Sequence, residues 1–256
     1  MSPRLLYCVF RPESGEGPIL AGVGGRPVFV RRKGKLAAAA SSVAGDEAPR
    51  STSDLLLYQE VVEAFNRRGT VVPMRYGAVF PSPEALDRHL EKESLRYGAL
   101  LDALEDGVEM GVRVLVSARR DDSPEGDASK DGERKEGPGF PSSPGKGKSY
   151  LLARRGRYLG AREACAAGER CEEAFAGLYR KAKREIRPVK DEEGKDGGKV
   201  LLSVYFLVRR SEVEAFRHAF RDFLNREGGA LLLSGPWAPY SFVTEENGGD
   251  RGWDLP

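Results

Sequence analysis

A chain of 256 residues, 40% of them hydrophobic, is long enough for one large or two ordinary domains with real cores. Lys and Arg number 41 against 39 Asp and Glu, and a formal charge of +2 supplies no broad positive field for backbone-dominated binding to DNA or RNA. No run of about 18 apolar residues is present and MSPRLLYCVF lacks the regions of a signal peptide, so a cytoplasmic protein without membrane or nucleic-acid partners is expected.

In chain order, RLLYCVF and RPVFVRRKGKLAAAASSV read as strands of a small sheet, punctuated by Gly25, Pro27 and Gly34. From Asp54 to Arg68, the apolar residues Leu57, Val61, Val62 and Phe65 recur at three- and four-residue steps. This predicts a helix with one buried stripe, Ser53 or Asp54 as N-cap and Gly69 as C-cap. The stretch MRYGAVF, residues 74–80, sets Arg75, Tyr76, Gly77 and Phe80 in the basic–aromatic–glycine order on which RNA-recognition strands stack bases. The match is partial, because Arg75 replaces the expected glycine, Pro81 follows at once and no second aromatic strand accompanies it. The alternative is that Gly77 lets a neighbouring strand pass closely while Tyr76 and Phe80 fill core. After PSPE, a helix capped by Ser82 carries Leu86, Leu90, Tyr97, Leu101 and Leu104 before Gly107 ends it. VEMGVRVLV then alternates, with Met110, Val112, Val114 and Val116 on one face and Glu109, Arg113 and Leu115 on the other. These elements make an N-terminal α+β domain over 1–118.

Residues 119–148 contain only Ala128 and Phe140 as apolar side chains and cannot recover their ordering entropy by burial, which predicts a flexible charged loop. A shorter one is expected at KDEEGKDGGK, residues 190–199. Between them a helix is expected from about Ser149 to Ile186, with the stripe Phe175, Leu178, Tyr179, Ala182 and Ile186 and a stop at Pro188. KVLLSVYFLVRR reads as a central strand, SEVEAFRHAFRDFLNREGG as a helix burying Val213, Phe216, Phe220 and Phe223, and ALLLSGPW as another strand. Helix, strand, helix, strand over 149–235 fits a ferredoxin-like or related two-layer α+β unit. Residues 236–256 form an extended aromatic tail, where Pro236 and Pro239 space Trp237, Tyr240 and Phe242 and forbid both helix and interior strand. Such a tail must lie against something.

Little in the chain points to chemistry. Cys8, Cys165 and Cys171 have no CxxC spacing and no neighbouring His, which argues against a metal site. His89 and His218 sit in charged amphipathic helices without a Cys or Ser partner, and GVGGR, residues 22–26, lacks the Lys and hydroxyl of a phosphate loop. Glu105, Asp106 and Glu109 cluster where a helix gives way to a strand and read as a solvated turn. No catalytic, cofactor or metal residue is expected.

VPMRYGAVF with its following helix, LEDGVEMGVRVLV, and the closing GPWAPYSFV together resemble the gas vesicle protein family GvpL/GvpF. The resemblance spans most of the chain outside the charged loop, and the terminal Gly-Pro-Trp-x-Pro-Tyr-x-Phe is its most diagnostic part. Ala238 stands where the family pattern has another Pro, and Met110 where an aromatic is frequent. The resemblance implies a two-domain α+β protein with a modified ferredoxin-like C-terminal domain. It implies an accessory or minor structural role in a gas-filled shell built from a small, very hydrophobic protein, with no catalysis and no cofactor. The implied partners are that major shell protein and other gas vesicle accessory proteins. Interaction or interdomain contacts are expected at Arg75, Tyr76, Gly77, Phe80 and Glu109, and along Gly235, Pro236, Trp237, Pro239, Tyr240 and Phe242. The tail is expected to act as an intramolecular strap packing Trp237 and Tyr240 on the first domain, with a shell-protein contact as the alternative. A single-stranded RNA-binding protein using the Tyr76–Phe80 strand is the alternative function.

Overall fold

A computed structural model describes residues 2–12, 18, 20–45, 48, 51–117, 146–190, 196–228 and 230–243, the side chains of 117, 146–159, 190 and 196–198 excepted. The charged loop expected over 119–148 lies outside the described residues up to 145, as do 191–195 of the shorter one and 244–256 of the tail.

The first sheet takes β1 (Arg4–Phe10), β2 (Val28–Lys33), β3 (Leu36–Ser42), β4 (Val71–Pro73) and β5 (Val79–Phe80) in the order β2-β3-β1-β4, with β5 also on β1. Every pairing is antiparallel. Gly34, at φ +58°, turns the expected long strand into the β2–β3 hairpin. β1 is buried along nearly its whole length because both faces of the sheet are covered. On one side α1 (Thr52–Asn66) packs Tyr58, Val61, Val62 and Phe65 against Leu5 and Tyr7. Its N-cap is Ser51, two or three residues earlier than the sequence suggests, with the hydroxyl accepting the Asp54 N–H. On the other side α2 (Pro83–Lys92) and α3 (Ser94–Ala103) bring Leu86, Leu90, Tyr97 and Leu101 onto Leu6 and Val9. The single helix expected here breaks at Glu93, which leaves the helical backbone at φ −93°, ψ 10°, while the buried stripe continues across the break.

The second sheet is also antiparallel, with β6 (Gly107–Ser117), β7 (Lys181–Lys190), β8 (Asp196–Arg209) and β9 (Leu231–Trp237) in the order β7-β8-β6-β9. One face packs on α4 (Lys146–Ala174) and α5 (Val213–Glu227), where Phe175, Phe206, Phe216 and Phe223 form a ring cluster with centroids 4.5–5.6 Å apart.

Two expectations are corrected. β6, assigned to the 1–118 unit, is a central strand of the second sheet, because its alternating valines need the facing row of β8. The helix expected to run to Ile186 ends at Ala174, Gly177 takes φ +84°, and residues 181–190 form β7. β7 is an edge strand, where Pro188 loses no ladder bond that an interior strand would need.

Candidate functional site

The chain after β9 crosses from one sheet to the other and is held there by groups from three elements. β9 leaves its register with β6 between Gly111 and Glu109, and Gly235 takes φ +106°. A Cβ at Gly235 would stand 2.5 Å from the Glu109 carbonyl oxygen, so only glycine lets the two backbones approach this closely. Pro236 lies within β9, the strand expected at ALLLSGPW, and β9 is an edge strand of the sheet, where a proline is tolerated. Ala238 is fully buried against the α1 side of the first sheet, and Tyr240 packs partly into the same cluster. A 3-10 turn at Tyr240–Phe242 sends Phe242 into the opposite cluster with Leu6, Leu86, Leu101 and Leu207. Leu207 belongs to β8, so this third cluster joins the two halves of the molecule.

Two buried carboxylates fix the crossing. Glu63 on α1 is 8% exposed and accepts the Ala238 N–H through Oε1 at 2.8 Å, while its Oε2 accepts the Asn66 amide at 3.1 Å. Glu109 on β6 is 6% exposed and accepts the Ser241 N–H at 2.7 Å and the Ser241 hydroxyl at 3.0 Å. Each thereby satisfies a strap donor that would otherwise be buried alone. Burial raises the Glu109 pKa above the ordinary carboxylate value, against the bonds from Ser241 and with help from the nearby Glu63 charge. The solvated turn expected around Glu109 is therefore corrected: Asp106 is exposed, but the side chain three residues on points inward. Burial likewise pushes the Tyr240 hydroxyl up, with Glu63 next in effect.

A second tie lies at the C-terminal end of α1, just beyond Glu63. Arg210 donates to the Asn66 carbonyl at 2.6 Å, to Asn66 Oδ1 at 3.0 Å and to the Gly69 carbonyl at 3.2 Å. The guanidinium thus meets the negative end of the helix dipole and carbonyls that have no intrahelical partner. The Asp106 N–H donates to Thr70 Oγ1 at 3.1 Å, and the Arg210 N–H to the Asp106 carbonyl at 3.0 Å.

The remaining expected residues divide between this site and other roles. Tyr76 packs edge-on to Tyr58 at 5.1 Å in the cluster that holds Ala238, and Phe80 lies 4.8 Å from the His89 ring in the cluster that holds Phe242. Arg75 is exposed, its carbonyl accepting the Tyr58 hydroxyl at 3.2 Å. Gly77 sits in an open turn at φ +96° with no atom near a Cβ, which corrects the close-passage reading. The 74–80 segment is a turn followed by the two-residue β5, and its aromatics face protein; it is not an open stacking strand. Pro239 is buried, whereas Trp237, expected to pack on the first domain, remains 39% exposed. Glu63, Asn66, Arg210, Ala238 and Ser241 were not singled out by sequence; Glu63 and Asn66 interrupt an otherwise apolar buried stretch, which is the one local signal they give.

The fold and this crossing define a two-sheet α+β protein whose C-terminal segment straps the sheets together. Residues 3–244 match the family described as gas vesicle synthesis protein GvpL/GvpF, and the chain belongs to that family. Gas vesicle protein F of Streptomyces sp. (strain CB03234) is 30% identical over 230 residues, covering 85% of this chain and 88% of the relative. Gas vesicle protein L of the same strain is 30% identical over 263 residues, covering 94% of each. The crystal structures of GvpF from Anabaena sp. PCC7120 and from Microcystis aeruginosa share the fold, with TM-scores of 0.69 and 0.70 at 16% and 14% identity. The first covers 98% of this chain and the second 96%, and both solved chains are matched over their full length.

Proposed function

We propose that this chain is a cytoplasmic accessory or minor structural protein of the gas vesicle that binds the major shell protein and other vesicle proteins during assembly. The observation that carries the reading is the family match over 3–244. A factor that handles a strongly apolar shell subunit must shield apolar surface from water until assembly, a physical task that requires no bond to be made or broken. Tyr240 and Phe242 are occupied within the molecule, so among the described residues of the tail Trp237 is the aromatic left to meet a partner. The β6-α4-β7-β8-α5-β9 order, with both helices on one face, supports describing residues 107–237 as a modified ferredoxin-like domain beside a mixed α+β domain.

Co-purification of the shell protein with the tagged chain, repeated across a salt series, tests this. An apolar interface predicts capture that holds from low to moderate salt. Capture that falls steeply over that range, or no capture at all, would contradict it.

A further inference from the structure

The sheet edges of this molecule are not alike. β2 carries Arg31, Arg32 and Lys33, the opposite rim of that sheet is made of the three-residue β4 and two-residue β5, and β7 bears Lys183, Arg187 and Pro188. Charge, brevity and proline are the devices that keep exposed strand edges from pairing. β9 is the other terminal strand of the second sheet, and from Leu231 to Ser234 it has none of them. Pro236 lies beyond the point where the strand slips register.

The register decides what this edge offers. Leu115 donates its N–H to the Ala230 carbonyl at 3.2 Å, and Arg113 pairs with Leu232 and Gly111 with Ser234. Bonds alternate along an antiparallel ladder, so the N–H and C=O of Leu232 face β6 while those of Leu231 and Leu233 face outward. The Gly235 carbonyl, on the outward parity, is taken by Arg217 at 3.4 Å. Leu231 and Leu233 lean onto the α5 side of the sheet, and Leu232, on the opposite face, is 56% exposed.

We propose that β9 pairs with β9 of a second copy of this chain, antiparallel, about a twofold axis through Leu232. In that register Leu231 exchanges both backbone bonds with the partner's Leu233 and Leu233 with the partner's Leu231. The two Leu232 side chains then meet directly as a non-hydrogen-bonded pair, the closest opposition in a sheet. The occupant is a second copy because β9 carries no charge, so self-pairing opposes no like charges. An isologous contact also closes at two and leaves no further edge of this kind. So short a strand buries well below the roughly 800 Å² per partner of a standard interface, and the dimer is weak. The inference goes beyond the shell-protein reading and does not depend on it.

Sedimentation velocity of the full chain from about 1 to 100 µM is expected to show 28.0 kDa giving way to twice that mass. Leu232→Lys, at an exposed position, keeps its thermal unfolding and raises the dissociation constant about tenfold or more. In a Cys165→Ser background, oxidation of Leu232→Cys gives a disulfide-linked dimer, because opposed Cα atoms of such a pair lie within disulfide range. Leu115→Cys, also exposed but one strand further in, does not. A single 28.0 kDa species at the highest concentration, or equal cross-linking of the two cysteine variants, overturns the proposal.

Discussion

Replacing Gly235 with alanine isolates the step at which the strap leaves the second sheet. Its φ of +106° is one that L side chains rarely adopt, at a cost of about 1–3 kcal/mol. The added Cβ would lie 2.5 Å from the Glu109 carbonyl oxygen and 3.2 Å from Met110 Sδ. Both residues are buried in a strand paired on both sides, so neither yields without parting β6 from β9. Overpacking of this kind adds about 1–3 kcal/mol, for a total of about 2–6 kcal/mol. In a chain of this size each kcal/mol lowers Tm by about 2–4 °C, so thermal unfolding followed by circular dichroism should shift down by about 5–20 °C. Gly77→Ala is the internal comparison, since φ there is +96° but nothing lies within 4 Å of its Cβ. It retains the backbone cost alone and should shift Tm by about half as much. Equal shifts for the two variants, or none for Gly235→Ala, would refute the close approach.

Arg210→Met leaves the end of α1 without its donors and should cost about 2–4 kcal/mol in urea unfolding, since bonds from a charged donor contribute about 1.5–3 kcal/mol; a loss under about 0.5 kcal/mol would show the tie to be idle. Glu109 has a raised folded-state pKa, so its contribution is present in full below the ordinary carboxylate range, near about pH 4, and is lost as pH rises through the raised value. Glu109→Gln should therefore flatten the decline of stability between about pH 4 and 7, and superimposable profiles would count against the buried carboxylate. Ending the chain after Gly235 removes Ala238 and Phe242 from their clusters and should lower Tm by at least about 10 °C, a Phe→Ala change alone being worth about 3–5 kcal/mol. Trp237→Ala should change stability by less than about 1 kcal/mol while reducing capture of the shell protein; unchanged capture removes Trp237 from the proposed interface.

Periodic burial was legible wherever one face of an element decides its composition. Val213, Phe216, Phe220 and Phe223 on α5 and the alternating Met110, Val112, Val114 and Val116 of β6 occupy the faces their spacing implies. The stripe over 175–186 misled because β7 is an edge strand: its lysines and arginines guard the rim and are also good helix formers, so composition alone favours the wrong element. The sheet that β6 joins was hidden because its partners follow residue 180, beyond the charged loop. The tail was legible as a strap but not in its contacts. Glu63, Glu109 and Ser241 converge from α1, β6 and the 3-10 turn, and no spacing along the chain announces a meeting of groups 46 and 132 residues apart. Trp237, the most conspicuous side chain of the segment, stays partly in solvent, and the plain Ala238 takes the buried place, its N–H bonded to Glu63.

Amide hydrogen exchange at Ala238 and Ser241 tests the strap most directly. Their N–H groups are bonded to buried carboxylates, so both should exchange as slowly as the central strand residues Val112 and Phe206. Exchange at the rate of an unstructured peptide would contradict the account.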